Sequence, residues 1–333
     1  MRRKNQTIGL IALSRLKGIG PAFIKKIATA DLFSNSEIAT EIESILSLSK
    51  KDIDKEEIYN GIENAKDILF RCKEDGIEII PITDENYPLQ LKAIKDPPPI
   101  IYCYGNLELL YRNTIGIIGT REPNENGIKI SERVGQYFSA NGWAICNGLA
   151  EGVDNYSIKT NEKVHSNVIG ILAGGLNYNY KKTLLRKTAE NAEQVLQNAG
   201  LLISEVPLDK KEDTFSVVKS CRIQAGISNG LLIVQSSLDG GSKYTTKAFC
   251  ELPRPVAVIN PIHGDIDLPS YNANKEIILA SKDGLARFAD TKLDKIQTDN
   301  IIIIKSKENY AEFEELMKKQ FQNTYKQKST LFD

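Results

Sequence analysis

The sequence predicts an α/β fold, a doubly wound and mainly parallel sheet behind an N-terminal helical segment. Three observations carry this. From residue 77 onward short apolar runs recur: IEIIPI (77–82), IIYCYG (100–105), TIGIIG (114–119), WAICNG (143–148), VIGILAGG (168–175), LLISE (201–205), LLIVQ (231–235) and VAVIN (256–260). Nearly every position in them is apolar, which suits strands covered on both faces. Between them lie stretches of helical period, ENGIKISERVGQYFSANG, TLLRKTAENAEQVLQNAG and SKYTTKAFCELP. Strand and helix alternating at this spacing mean parallel strands joined by crossovers.

Taken in order, residues 1–75 read as a separate helical unit. LIALSRLKGIGPAFIKKIATADLF, SEIATEIESILSLS and KEEIYNGIENAKDILFRCKEDG repeat apolar residues at three and four, and Gly76 supplies a C-terminal stop. The prolines of YPLQLKAIKDPPPI stiffen the chain as it enters the sheet domain, set at 76–290. Beyond it NIIIIK reads as one more strand and NYAEFEELMKKQFQNTYK as a polar helix, and 291–333 is left as an unassigned extension.

Of 333 residues 41% are hydrophobic, enough to bury a large core and to exclude global disorder. No apolar run reaches 18 residues, so no membrane span is expected. The basic N-terminus has a short, interrupted apolar stretch and no small-residue cleavage site, so no secretory signal is expected either. Cys72, Cys103, Cys146, Cys221 and Cys250 form no CxxC pair, and His165 and His263 lie far apart. Reduced thiols in a cytoplasmic protein fit this pattern; a disulfide framework or a metal site does not.

A net charge of zero argues against a nucleic-acid partner until the distribution is inspected. The first 30 residues hold Arg2, Arg3, Lys4, Arg15, Lys17, Lys25 and Lys26 and no acid; the next 30 are acidic. A second basic knot, Lys181, Lys182, Arg186 and Lys187, falls where a helix should begin. Such clusters serve as solvated faces or as phosphate sites.

In a doubly wound sheet, ligands sit beyond the carboxyl ends of the strands, and three stretches converge there. In GTREPNENG, Gly119 permits a tight turn, and Thr120 and Arg121 follow it; Arg121 offers a planar, permanently charged fork suited to phosphate. The alternative is that Arg121 caps carbonyls or pairs with an acid such as Glu205. In CNGLAEGVDNYSIK, Gly148 and Gly152 frame a turn and Asp154 caps amides. In SSLDGGSKYTTKAFCE, Gly241 opens a helix whose first turn brings Ser242 and Thr245, an anion cradle of amides and hydroxyls. Nothing assembles a reaction: there is no triad, no GxxxxGK[ST] loop and no full GxGxxG. No catalytic residue, cofactor or metal is assigned. In the helical unit, RLKGIGPAFIKKI fits the helix-hairpin-helix pattern, in which Gly18 and Gly20 let amides approach a phosphate beside Lys17, Lys25 and Lys26. Such a hairpin is also a common packing unit, and both readings stand.

In their order these motifs resemble the DprA family of bacterial DNA-processing proteins, from about residue 8 to about residue 285. ENYPLQLKAIKDPPPIIYCYGN resembles the family's lead-in to its Rossmann-like domain, and GIIGTREPNENG its Gly-Ser/Thr-Arg motif. NGLAEGVD is similar to its SGLARGID stretch, VIGILAGGLNYNY to a strand exit, LLISEVP to Ser-Glu-x-Pro, CRIQAGIS to RNRIIAGLS and GGSKYTT to SGSLITA. The resemblance implies an extended Rossmann-like fold behind a helix-hairpin-helix or SAM-like domain. It also implies a non-enzymatic, dimeric protein that binds single-stranded DNA and hands it to a RecA-type recombinase during transformation. By position it implies that Arg121 is the pocket arginine, Arg222 the last arginine of RNR with Lys219 nearby, Phe215 a stacking ring, and Ser242 and Thr245 the hydroxyls of the glycine loop.

The departures are local. Ser220 and Cys221 stand where the family has arginine and asparagine, Glu151 where it has arginine, and Ile158 where it has histidine. They predict a weaker positive field and a shallower salt dependence. Two alternatives follow from them: a nucleotide-sensing domain of the kind found in bacterial defence systems, and an interaction scaffold with a decayed DNA pocket. The tail is too short for the family's optional winged-helix domain.

Overall fold

The computed structural model describes residues 2–28, 33, 37–298 and 300–329, with side chains described between 4 and 320. Among these residues nine strands form one sheet: β1 (Ile77–Pro81), β2 (Ile100–Gly105), β3 (Thr114–Ile118), β4 (Ala144–Asn147), β5 (Val168–Leu172), β6 (Leu201–Ser204), β7 (Gly230–Ile233), β8 (Val256–Ile259) and β9 (Ile301–Ile304). Their order is β1-β2-β6-β5-β4-β3-β7-β8-β9. All neighbours from β6 to β9 are parallel, and β2 runs antiparallel to both β1 and β6.

Among the described residues four helices precede the sheet: α1 (Arg2–Arg15), α2 (Pro21–Ala28), α3 (Ile38–Leu48) and α4 (Lys55–Glu74). They contribute Leu13, Ile42, Ile58, Ala65 and Cys72 to a core that continues into Ile101 and Cys103 of β2. The segment IATADLF predicted to extend the second helix falls largely on 29–32, outside the described residues.

Among the described residues, beside short turns of helix at Leu89–Lys92, Val153–Ser157 and Tyr178–Lys181, six longer helices cover the sheet or close its ends: α5 (Glu125–Ala140), α6 (Arg186–Gln197), α7 (Thr214–Ile227), α8 (Ser242–Cys250), α9 (Asn272–Phe288) and α10 (Glu308–Ser329). Period-two alternation divides the strand side chains between two cores. Ile117, Leu232 and Ala257 are register neighbours and join the core that holds Phe138 of α5 and Phe313 and Met317 of α10. Ile118, Ile233 and Val258, one residue on, join the opposite core with Ala225 of α7, Phe249 of α8 and Phe288 of α9. Both faces are therefore buried, as the unbroken apolar runs require. The residues after 290 belong to this sandwich: β9 extends the sheet, and Phe313 meets Phe138 edge-on with ring centres 6.4 Å apart.

The periodicity did not reveal α7 or α9. Residues 223–227 of α7 are buried at every position, so no polar stripe marks a helix. Its start is a capping box, in which the Ser216 amide donates to Asp213 at 2.7 Å and the Asp213 amide to Ser216 Oγ at 2.8 Å. At its other end the buried Arg254 guanidinium donates to the carbonyls of Ala225, Gly226 and Ser228, a cation at the negative end of the helix.

From β3 the chain winds through β4, β5 and β6 to one side, then returns to place β7 on the other side of β3. The topological switch point lies between the carboxyl ends of β3 and β7, where such sheets bind ligands.

Candidate functional site

The loop after β3 is held by backbone hydrogen bonds, with the Glu122 amide donating to Thr120 Oγ1 at 3.2 Å and the Asn124 amide to Gln235 Oε1 at 3.2 Å. The Thr120 amide donates to the Gln235 carbonyl beyond β7 at 2.7 Å, and the Val153 amide donates to the Thr120 carbonyl at 3.1 Å. Space is tight enough to require glycine at two points. A Cβ on Gly119 would lie 2.5 Å from Val153 Cγ2. One on Gly152, whose φ is +77°, would lie 2.3 Å from the Thr120 carbonyl oxygen and 2.5 Å from Arg121 Cα. Two of the three predicted stretches thus interlock, and their contact determines where the Arg121 side chain leaves the sheet.

Arg121 is exposed, and among the described residues no hydrogen bond or ion pair holds its guanidinium. Glu205, the partner the sequence offered it, is taken by Arg222 and Lys219. Arg121 lines a cleft of about 500 Å³ with Glu122, Glu151, Asn155, Tyr156, Lys159, Glu162 and Lys187. Three cations and three carboxylates share the cleft, so the loss of positive field expected from Glu151 is a local balance. Lys159 is tied to Glu162 at 3.2 Å and sits over the Tyr156 ring, 5.7 Å from its centre. Asn155 is 6% exposed, and its Oδ1 is buried with no hydrogen-bond partner.

Asp154 caps the turn beneath this cleft, accepting from the Gly148 amide at 3.0 Å and the Ala150 amide at 3.4 Å. Burial pushes its carboxyl up from 3.8 to about 6, against the opposing pull of those amides and of Arg121. Burial pushes the carboxyl of Glu212, just before α7, upward against the pull of the Leu185 amide and of Arg121, and three residues later Phe215 stands 75% exposed.

The other candidates are arranged differently. Arg222 is enclosed: both its terminal nitrogens donate to Glu205, at 2.6 and 2.7 Å, and Nε donates to the Asp96 carbonyl at 2.8 Å and its carboxylate at 3.1 Å. Lys219 lies 3.3 Å from the same Glu205. The hydroxyls of the third stretch face inward: Ser242 Oγ shares a 2.6 Å hydrogen bond with Ser236, and Thr245 donates to Gln224 at 3.2 Å. Gly241 remains exposed at the start of α8.

In the helical unit, α1 and α2 meet at Gly18, whose φ of +77° makes the turn. The Lys17 amide donates to Glu57 at 3.0 Å, and Lys51 reaches the Gly18 carbonyl at 3.1 Å. Lys25 reaches the carbonyl of Lys95 at 3.5 Å, next to the Asp96 that holds Arg222. Lys26 is exposed on the same helix. The hairpin therefore docks beside the loop that anchors α7 at Arg222, and Phe215 lies in the first turn of the same helix. Lys187 of the second basic knot lines the Arg121 cleft; the sequence marked its charge but not its place. Asn155 and Tyr156 carried no sequence signal beyond adjacency to Asp154.

Comparison with known proteins gives the family and the fold. Residues 78–297 match the family described as DNA recombination-mediator protein A. The chain is 32% identical over 206 residues to the DNA processing protein DprA of Bacillus subtilis, covering 62% of this chain and 68% of that one. The crystal structure of DprA from Streptococcus pneumoniae superposes with a TM-score of 0.66 at 20% identity, covering 90% of this chain and 95% of that one. DNA processing protein A from Helicobacter pylori, described structurally for its single-stranded DNA binding mode, gives a TM-score of 0.54 at 22% identity over 66% and 97% of the chains.

Proposed function

This chain belongs to the DNA recombination-mediator protein A family, and we propose from that membership and the site's geometry that it binds single-stranded DNA at the β3–β7 switch point. The observation that carries the reading is Arg121: an exposed guanidinium at the strand ends, its backbone placed by Gly119 and Gly152, with no hydrogen-bond or ion-pair partner among the described residues. A phosphate supplies the bidentate acceptor that such a fork lacks. Phe215, exposed on the far side of Glu212, offers a ring on which an adjacent base stacks. From there the strand follows α7 toward Lys25 and Lys26 of the hairpin, with Lys17 and the exposed Gly241 at the margins. Lys219 and Arg222 hold the scaffold under this path while Glu205 engages them.

In this reading the protein is non-enzymatic and cytoplasmic, acts as a homodimer, and presents the bound strand to a RecA-type recombinase. No helix among the described residues is long and apolar enough to cross a membrane.

The test is fluorescence anisotropy of a labelled oligo-dT at low and near-physiological salt. The wild type should bind with a clear salt dependence, and Arg121→Ala should lose most affinity and about 0.7 of the logarithmic salt slope, the share of one phosphate on a single strand. Absence of strand binding at low salt would refute it. A second reading, a site for a free nucleotide, is favoured by the buried and unpartnered Asn155 Oδ1 in the same cleft. It predicts mononucleotide binding that does not grow with strand length.

A further inference from the structure

The helical unit carries a groove that the strand-end site does not use. It runs between α1, α4 and β1, encloses about 580 Å³, and has Ile8, Leu69, Ile77 and Ile79 among its lining residues. On α4, Lys66, Phe70 and Lys73 fall at spacings of four and three, so they share one face. Phe70 is 63% exposed. Lys4 joins the rim from α1, and among the described lining residues three lysines stand against one carboxylate, Glu78. Lys66 is held by Glu63 at 2.7 Å, but both side chains are more than half exposed, so that pair is readily exchanged. Among the described residues β1 ends the sheet and pairs with β2 alone, which leaves its other edge without a strand.

We propose that this groove docks an acidic, apolar peptide segment of a partner protein, extended alongside β1. A free strand edge next to aliphatic pockets is what strand addition requires, with main-chain hydrogen bonds giving affinity and alternate side chains giving specificity. The lysine rim selects carboxylates on the outward positions and steers the encounter. A nucleic-acid strand fits less well: its bases want a succession of rings, and the groove offers Phe70 alone over an aliphatic floor.

The full chain is screened against a displayed library of random peptides of roughly 12 residues, a length that spans the groove and its flanks. Lys66→Glu with Lys73→Glu, and separately Phe70→Ser, serve as variants, with thermal melts confirming that these exposed changes leave the fold intact. Enriched sequences should alternate acidic and apolar residues. The leading peptide, synthesised and labelled, should bind each variant about ten-fold more weakly than wild type, and bind Arg121→Ala as well as wild type. Absence of such enrichment, or binding indifferent to the double charge reversal, overturns the proposal. So does a double variant that weakens oligo-dT binding while no acidic, apolar peptide is enriched, because the groove would then belong to a nucleic-acid strand.

Discussion

Arg222 stands where the family resemblance puts a DNA-binding arginine, yet its hydrogen-bonding fork is already occupied, and the two roles predict opposite results for Arg222→Ala. The side chain is 13% exposed and Glu205 is 7% exposed. Removing the guanidinium leaves a buried carboxylate that has lost two charge-assisted hydrogen bonds. Breaking such a pair costs about 3–5 kcal/mol. Lys219 remains 3.3 Å from Glu205, and Asp96, about half exposed, can rehydrate. Both effects place the cost at the lower end, about 3 kcal/mol. At about 2–4 °C per kcal/mol the melting temperature should fall by about 6–12 °C. Replacing both partners, Arg222→Met with Glu205→Leu, should recover most of the loss, since no uncompensated charge then stays buried. Urea unfolding followed by circular dichroism gives the stabilities, and oligo-dT anisotropy across a salt series gives the DNA term. The expected outcome is a large loss of stability with an unchanged salt slope. Stability within about 0.5 kcal/mol of wild type, together with a slope lower by about 0.7, would show that Arg222 contacts phosphate and that the ion-pair argument is wrong.

Three further outcomes follow from the same geometry. Phe215→Ala, at a 75% exposed position, should leave urea stability within about 0.5 kcal/mol while lowering single-strand affinity by about 1–3 kcal/mol, the worth of one stacked base; equal affinity would remove the ring from the path. Gly152→Ala forces a Cβ to within 2.3 Å of the Thr120 carbonyl at a φ of +77°. It should cost more than about 1 kcal/mol of stability and weaken oligonucleotide binding by displacing Arg121, so a variant with wild-type melting and binding would contradict the packing. For Asp154, the folded pKa of about 6 lies above the ordinary 3.8. The folded state therefore holds this proton more tightly than the unfolded chain, and the group's contribution to stability falls as pH rises from about 4 to about 6. Between those limits the wild type should lose on the order of 2–3 kcal/mol relative to Asp154→Asn. A difference that stays constant between pH 4 and pH 7 in urea titrations would refute this.

What the sequence determined by itself is the set of strands, the switch-point loop and the order of motifs. Strands buried on both faces must be apolar at every position, so TIGIIG, VIGIL and VAVI announce themselves without neighbours. Gly119 followed by Arg121 is legible because a strand-end turn demands glycine and few structural roles there demand arginine. The family's order of motifs then marked the sheet domain as far as α9, and residues 78–297 match the family; β9 and α10 lie beyond that match.

Tertiary structure decided which charges are available, because availability depends on what lies across from a side chain rather than on what precedes it. Glu205 and Asp96, far from Arg222 in sequence, close around it. Gln224 and Ser236 turn Thr245 and Ser242 inward, while Arg121 is left open. The same holds for α7, whose run of buried positions hides its helical period until both the sheet and α8 are in place. Asn155 follows the close approach at Gly152 into the cleft, and Lys187 comes from α6, whose Asn191 donates to the Leu149 carbonyl at 2.9 Å; no local pattern encodes either contact. Residue types and their order specify which groups could meet a ligand. The packing of distant segments, each group either satisfied or left unpaired, decides which of them stay available to one.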